Sequence, residues 1–442
     1  MKRLFCFIIV IMCCTILAQD SEDLFIYGQE EFEVRTLLNY VIELPENYDP
    51  DTKYPLIIGL HGYGDKPESY RGTARILFPE GAIGLYPQGP YRQLNEWGRS
   101  PGFCWSYITE DNEDRMTMLD TSLRWVLNIL EKTLDSYSVD RSKVFLYGFS
   151  QGGMMSYQLG LTYPEYFRGV IPAGAFIDNT VDSLVFNNTA AKRLPYLALH
   201  GVYDQVIDPD WDAGSIEKLK SYGFNADLKL YPTAHSIIQP MLDDARDFIY
   251  QELYEGDIPS LEKITRSKDL PAELDKILLL DDDAVLISSS LQQLYKMNKD
   301  AETREKIVYL LGAERCIDAM GFLTELMMDK TLEQSNRQAA FNALAKLENE
   351  TAWEIYQNAE YKLVVKEVVD GSQAAELGIM PGDIILSYNG QVISYRSDVV
   401  KAKEMLPPDQ ETIEMIINRN GNEIKLELKP GSIGVYLDEI LK

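Results

Sequence analysis

The sequence predicts three folded modules. They are a layer of mostly parallel strands flanked by helices, a small all-helical region, and a β-rich module near the C-terminal end. Three observations carry this. Short apolar runs alternate with helical patterns between residues 32 and 256; strand-like runs and prolines nearly vanish over 270–350; strands with Asn-Gly turns return over 355–442. A chain of 442 residues has room for this, since domains average ~150 residues. Apolar residues at 45% and charged residues at 25% form an ordinary globular balance, so disorder does not dominate.

The chain opens with Lys2 and Arg3, an apolar run from Leu4 to Leu17, and Ala18 as the small residue before Gln19. This pattern predicts a signal peptide over residues 1–18 and a mature protein that is secreted or periplasmic, with an uncleaved anchor as the alternative. No later stretch reaches the ~18 apolar residues of a membrane helix. The 69 acidic and 42 basic side chains give a net charge of −27, which repels phosphate backbones and argues against nucleic acid as a partner. Only three histidines exist, too few for a histidine-rich metal site, and no metal or cofactor is implied. Three of the five cysteines lie in the leader; Cys104 and Cys316 read as unpaired, buried thiols.

In the first module the strands are expected at 37–43, 56–60, 83–86, 144–148, 169–172, 196–199 and 227–231. Helices are expected at 120–134 and 216–222, among others. The strand ending at Gly148 runs into Gly148-Phe149-Ser150-Gln151-Gly152 and then a helical stretch. A Gly-x-Ser-x-Gly turn between strand and helix exposes the serine hydroxyl, and its glycines let strand and helix approach closely. A serine needs a base, and only His200 and His235 follow it. The chain order serine, acid, histidine makes Asp204 the orienting carboxylate and His235 the base, with Asp208 the rival acid and His200 a structural residue of the turn. A developing oxyanion needs two N–H donors; those of Gln151 and Tyr63 are expected, the latter in the loop His61-Gly62-Tyr63-Gly64-Asp65. His61 itself reads as a loop histidine bonded to backbone.

Leu60-His61-Gly62-Tyr63-Gly64-Asp65, Gly148 to Met154, His200-Gly201 with Asp204 and Ile207, and Ala234-His235 together resemble the phospholipase/carboxylesterase branch of the α/β-hydrolases, as in acyl-protein thioesterases and secreted carbohydrate esterases. The resemblance covers residues 32–255 and implies an α/β-hydrolase fold, a Ser150–His235–Asp204 triad, oxyanion donors at Tyr63 and Gln151, and an ester substrate cleaved through an acyl-enzyme. A serine peptidase and a non-catalytic binding scaffold are the alternatives. The long aromatic region 88–107 departs from compact members of that family. Trp97, Trp105 and Tyr203 are the candidate substrate contacts, for a sugar or phenolic acyl group, with loop packing as the competing reading.

The acidic, proline-containing stretch 254–271 reads as a linker, so residues 19–258 are expected to fold and work alone. In the helical region Leu291 and Leu294 recur 32 residues on as Leu323 and Leu326, while Arg304 and Leu311 recur 33 residues on as Arg337 and Leu344. The pattern resembles short HEAT-type repeats, with a plain helical spacer as the rival. Finally, Gly371-Ser372, Ala374–Leu377, Gly378, Pro381-Gly382-Asp383 and Asn389-Gly390 resemble a PDZ domain, which implies recognition of peptide ends by strand addition. Its carboxylate loop is missing before residue 361. Pro430-Gly431 and Gly434 supply a candidate, in a bacterial-type rearrangement that sets the strand 432–437 opposite a helix at 397–405. N–H groups at Ile433 and Gly434 would hold a peptide or protein C-terminus.

Overall fold

The computed structural model describes residues 37–94, 101–109, 112–181, 183–368, 372–393, 398–399, 402–403, 405–407, 410–431 and 433–442. The leader, Trp97 and part of the helix expected at 397–405 (residues 397, 400, 401 and 404) lie outside these residues.

The first module is built on a seven-stranded sheet. Its strands are β1 (Tyr40–Glu43), β2 (Tyr54–Leu60), β3 (Ile83–Pro87), β6 (Val139–Phe149), β7 (Gly169–Ala173), β8 (Tyr196–Gly201) and β9 (Ala226–Tyr231); the hairpin β4 (Tyr91–Leu94) and β5 (Pro101–Cys104) stands apart. The order is β1-β3-β2-β6-β7-β8-β9, parallel except for β1. Strands buried on both faces read as continuous apolar runs, and β2 does so: Pro55 to Leu60 are all buried. Its side chains alternate, Leu56, Ile58 and Leu60 joining one core layer and Ile57 the other. The helix Asn112–Ser136 buries Leu119, Leu123, Val126, Leu130 and Leu134 as one helical stripe against the first layer. Helix Gln239–Leu253 covers the opposite face with Met241, Ala245 and Ile249. Chain order reverses between β2 and β6, and the crevice beyond their carboxyl ends is where such sheets place their ligands.

The helical region begins earlier than the sequence suggests. Leu261 and Ile264, in the stretch read as a linker, are buried in the same core as Leu291, Leu311, Leu323 and Leu344. Helices Ala284–Met297 and Ala301–Ala313 form one pair, Met320–Met328 and Gln334–Lys346 a second, and Glu350–Asn358 follows. Arg304 and Arg337 hold equivalent places in the two pairs. Each donates Nε–H to a carbonyl at the end of the preceding helix: Asn298 at 2.7 Å and Met327 at 3.0 Å.

The last module has strands β10 (Tyr361–Val368), β11 (Ile384–Tyr388), β12 (Gln391–Val392), β13 (Ile413–Arg419), β14 (Asn422–Leu428) and β15 (Val435–Leu441). Their order is β14-β13-β11-β10-β15, with β12 on β11. The C-terminal strand lies antiparallel against β10, from Tyr361 opposite Leu441 to Val368 opposite Val435. On its outer side the Gln338 carboxamide donates to Glu439 O and accepts from Leu441 N–H, both at 2.8 Å. The helical region thereby fills that part of the strand edge. Against the first module, Glu367 pairs with Arg75 and Lys366 bonds to Gln239. Among the described residues no helix is long and apolar enough to cross a membrane. Cys104 and Cys316 are both buried thiols, each aimed at a backbone carbonyl, and burial pushes them up to about 11 and about 12.

Candidate active site

Ser150 sits between β6 and helix Gln151–Thr162 with φ 56° and ψ −123°, a conformation non-glycine residues avoid. The turn is held because Ser150 N–H donates to Ala173 O at 2.8 Å. The glycines are sterically required: a Cβ at Gly152 would stand 1.9 Å from Leu60 O, and one at Gly148 would stand 2.2 Å from Gly152 O.

Three sequence-predicted residues converge here from separate loops. His235 Nε2 lies 3.0 Å from Ser150 Oγ, and its Nδ1 lies 2.6 Å from Asp204 Oδ2. The His235 ring rests on Phe149 with centroids 4.7 Å apart. Asp204 is nearly inaccessible, and its Oδ1 accepts the N–H groups of Val206 and Ile207 at 2.8 and 2.9 Å. Burial pushes this carboxyl up, but hydrogen bonds from His200, His235 and Ile207 N–H overcome it and hold it well below the usual carboxylate range. Asp208, the rival acid, instead caps helix Pro209–Ser221 by accepting from Asp210 N–H at 3.0 Å.

The loop after β2 faces Ser150: a Cβ at Gly62 would be 3.4 Å from Ser150 Cβ. The N–H groups of Tyr63 and Gln151 have no hydrogen-bond partner among the described residues. His61 is fully buried; Nδ1 meets Gly62 O at 2.8 Å and Nε2 accepts from Gly89 N–H at 2.9 Å, so one donor and one acceptor fix a neutral ring. Burial lowers its affinity for a second proton.

The aromatic insertion does something the sequence did not show. Trp105 is a correction: it is fully buried, its Nε1–H donates to His61 O at 2.7 Å, and its ring lies 4.9 Å from the His61 imidazole. It packs the loop and is closed to substrate. The Gln151 side chain ties the same insertion to the turn at Ser150, accepting from Trp105 N–H at 2.9 Å and donating to Ser106 O at 2.8 Å. Gly64 N–H and Phe103 N–H pair with the Phe103 and Asp65 carbonyls, so β5 buttresses the loop after β2. A Cβ at Gly102 would lie 1.8 Å from Gly64 O. Gly102→Ala is therefore expected to displace that loop and lower kcat roughly 10²–10³-fold, as the loss of one oxyanion donor does. Steady-state kinetics of the purified variant would check this. Tyr63 and Tyr203 remain exposed, at 37% and 42%, with Tyr203 set beside Glu350 and Glu354 of the last helix of the helical region.

Comparison with known proteins agrees with this architecture. The phospholipase/carboxylesterase family profile matches residues 46–253, and a PDZ domain profile matches residues 364–419. The chain is 27% identical to acyl-protein thioesterase 1 of Gibberella zeae over 202 residues, which is 44% of this chain and 85% of that protein. It is 28% identical to acetylxylan esterase A of Aspergillus oryzae over 190 residues, 40% of this chain and 57% of that protein. The match thus spans little more than half the length of the acetylxylan esterase. The crystal structure of Arabidopsis thaliana SOBER1 aligns with a TM-score of 0.40 and 21% identity, over 45% of this chain and 99% of that one. Residues 46–253 are a phospholipase/carboxylesterase-family domain, a carboxylic ester hydrolase of α/β-hydrolase fold, and residues 364–419 belong to a PDZ domain.

Proposed function

We propose that the chain is an exported serine esterase that cleaves carboxylic esters through an acyl-enzyme. The observation that carries this reading is the line Ser150 Oγ, His235, Asp204, at 3.0 and 2.6 Å. Ser150 attacks the ester carbonyl while His235 Nε2 takes its proton and Asp204 holds the ring by Nδ1–H. The Tyr63 and Gln151 N–H groups receive the oxyanion. His235 then protonates the leaving alcohol, and a water activated by the same nitrogen releases the acid. The half-exposed phenols of Tyr63 and Tyr203 suit a sugar or phenolic group at the mouth, in keeping with an acetylxylan esterase among the relatives. The two helical pairs serve as a short HEAT-like repeat. The PDZ domain binds a peptide end, held at the Ile433–Gly434 end of β15 because Gln338 fills the edge at Glu439 and Leu441.

A panel of acetylated xylan fragments, feruloyl esters and acyl thioesters tests the substrate class; preference for the thioesters would overturn the carbohydrate reading. The triad assignment is tested by a pair of variants. Asp204→Asn is expected to lower kcat on the order of 10⁴-fold, since the amide misorients the imidazole. Asp208→Asn should stay within a few-fold, since asparagine caps a helix as well as aspartate does. The reverse ranking in kinetics on p-nitrophenyl acetate would show that the acid is misassigned.

A further inference from the structure

Asp204 has a second imidazole neighbour that the three-residue triad does not use. His200 is fully buried, with Nε2 3.3 Å from Asp204 Oδ2 and 3.1 Å from Ile207 O. On its other side Nδ1 lies 2.8 Å from Asp212 Oδ2. Asp212, on helix Pro209–Ser221, is also fully buried, and its Oδ1 accepts the Tyr157 hydroxyl of helix Gln151–Thr162 at 2.7 Å. These are the titratable groups facing His200: Asp204 from the loop, Asp212 from one helix, Tyr157 behind it from another, and His235 beyond Asp204. The partners decide the protonation state. A neutral imidazole carries one donor and one acceptor, as His61 does with Gly62 O and Gly89 N–H. With Asp212 ionised, both nitrogens of His200 face only acceptors, and both carry hydrogen.

We propose that His200 is a positioning residue of the reaction, a buried imidazolium that bridges Asp212 to Asp204, fixes the carboxylate that orients His235, and tempers its pull on the His235 proton. This rests on the serine esterase reading above. The sign of the effect follows from charge. With His200 cationic, Asp204 draws less strongly on a proton at His235, and the base releases it more readily. Burial alone would strip the charge from His200. Its bonds to Asp204 and Asp212 overcome that and push it up to about 9. Burial raises the Asp212 carboxyl, while the bonds from His200 and Tyr157 favour its ionised form. A raised histidine contributes stability in full below its unfolded value of ~6.5 and loses it as pH rises through about 9.

The test uses the full chain and its His200→Gln and Asp212→Asn variants. With three histidines in the sequence, ring-nitrogen NMR resolves each imidazole, and His200 is the signal absent from the glutamine variant. The expected spectrum shows it doubly protonated at pH 7. His200→Gln should lower kcat by roughly tenfold or more, with KM within about twofold, and move the acid limb of kcat/KM to higher pH. Asp212→Asn, which keeps the side-chain shape, should move the limb the same way to a smaller extent. It carries the kinetic test if the glutamine variant does not fold. A singly protonated His200 at pH 7 overturns the proposal, as does an unmoved acid limb, which would leave His200 merely structural. If the parent hydrolyses no ester, the esterase reading fails instead, while the NMR arm still decides the state of His200.

Discussion

Ser150→Ala is expected to lower ester hydrolysis by roughly 10⁴–10⁶-fold and to leave the fold intact. The size follows from losing the only atom that can form the acyl bond, while the oxyanion donors and binding surface persist. The fold should survive because the Oγ bond to His235 is the side chain's hydrogen bond, and the strained turn is held by backbone, through Ser150 N–H to Ala173 O. Alanine accepts that φ about as poorly as serine does, so little changes in strain. Rates on p-nitrophenyl acetate and a thermal melt of both proteins check this. A variant within tenfold of the parent would place the nucleophile elsewhere.

Asp244→Ala is expected to destabilise the whole chain by roughly 3–5 kcal/mol, the usual result of removing one partner from a buried charge cluster. Asp244 lies on helix Gln239–Leu253 and is fully buried. Its Oδ2 accepts from Tyr231 Oη at 2.5 Å and Arg315 Nη2 at 2.8 Å, and its Oδ1 lies 2.9 Å from Lys346 Nζ. Burial opposes the charge, yet Arg315, Lys229 and Lys346 hold the carboxyl well below the usual range. Alanine would strand those cations, one of which, Lys346, is 1% exposed. Two of the three come from the helical region, so the catalytic module and the helices share this seam. The independence read from the sequence for residues 19–258 therefore needs revision: that fragment would keep Asp244 and lose Arg315 and Lys346. Denaturant unfolding of the variant and of the fragment tests this, and a midpoint unchanged in either would show the seam to be energetically silent.

What the sequence made legible was local or ordered along the chain. The elbow at Ser150 announces itself because strand, glycines and helix are contiguous. Asp204 and His235 followed from chain order; the absence of glycine before Tyr361 and its presence at 430–434 pointed to a C-terminal strand at 432–437, which instead starts three residues later and runs from Val435 to Leu441. What stayed hidden depends on contacts between distant segments. Trp105 looks like any loop aromatic until the structure sets its indole under His61 O. The Gln151 carboxamide as a tie to the insertion, and Asp212 as the partner of His200, lie 46 and 12 residues from what they hold. No period or motif marks such pairs. The stretch 254–271 reads as a linker from its acids and prolines, yet Leu261 and Ile264 supply enough apolar surface to seat it in the helical core.

In this mechanism Ser150 carries the acyl group. The most direct measurement is mass spectrometry of the full chain, mixed with p-nitrophenyl acetate, quenched in acid and digested. One acetyl group is expected on the peptide containing Ser150, lost on longer incubation at neutral pH and absent from the Ser150→Ala protein. Hydrolysis without any acylated peptide, or an acetyl group that turns over on another residue, would contradict it.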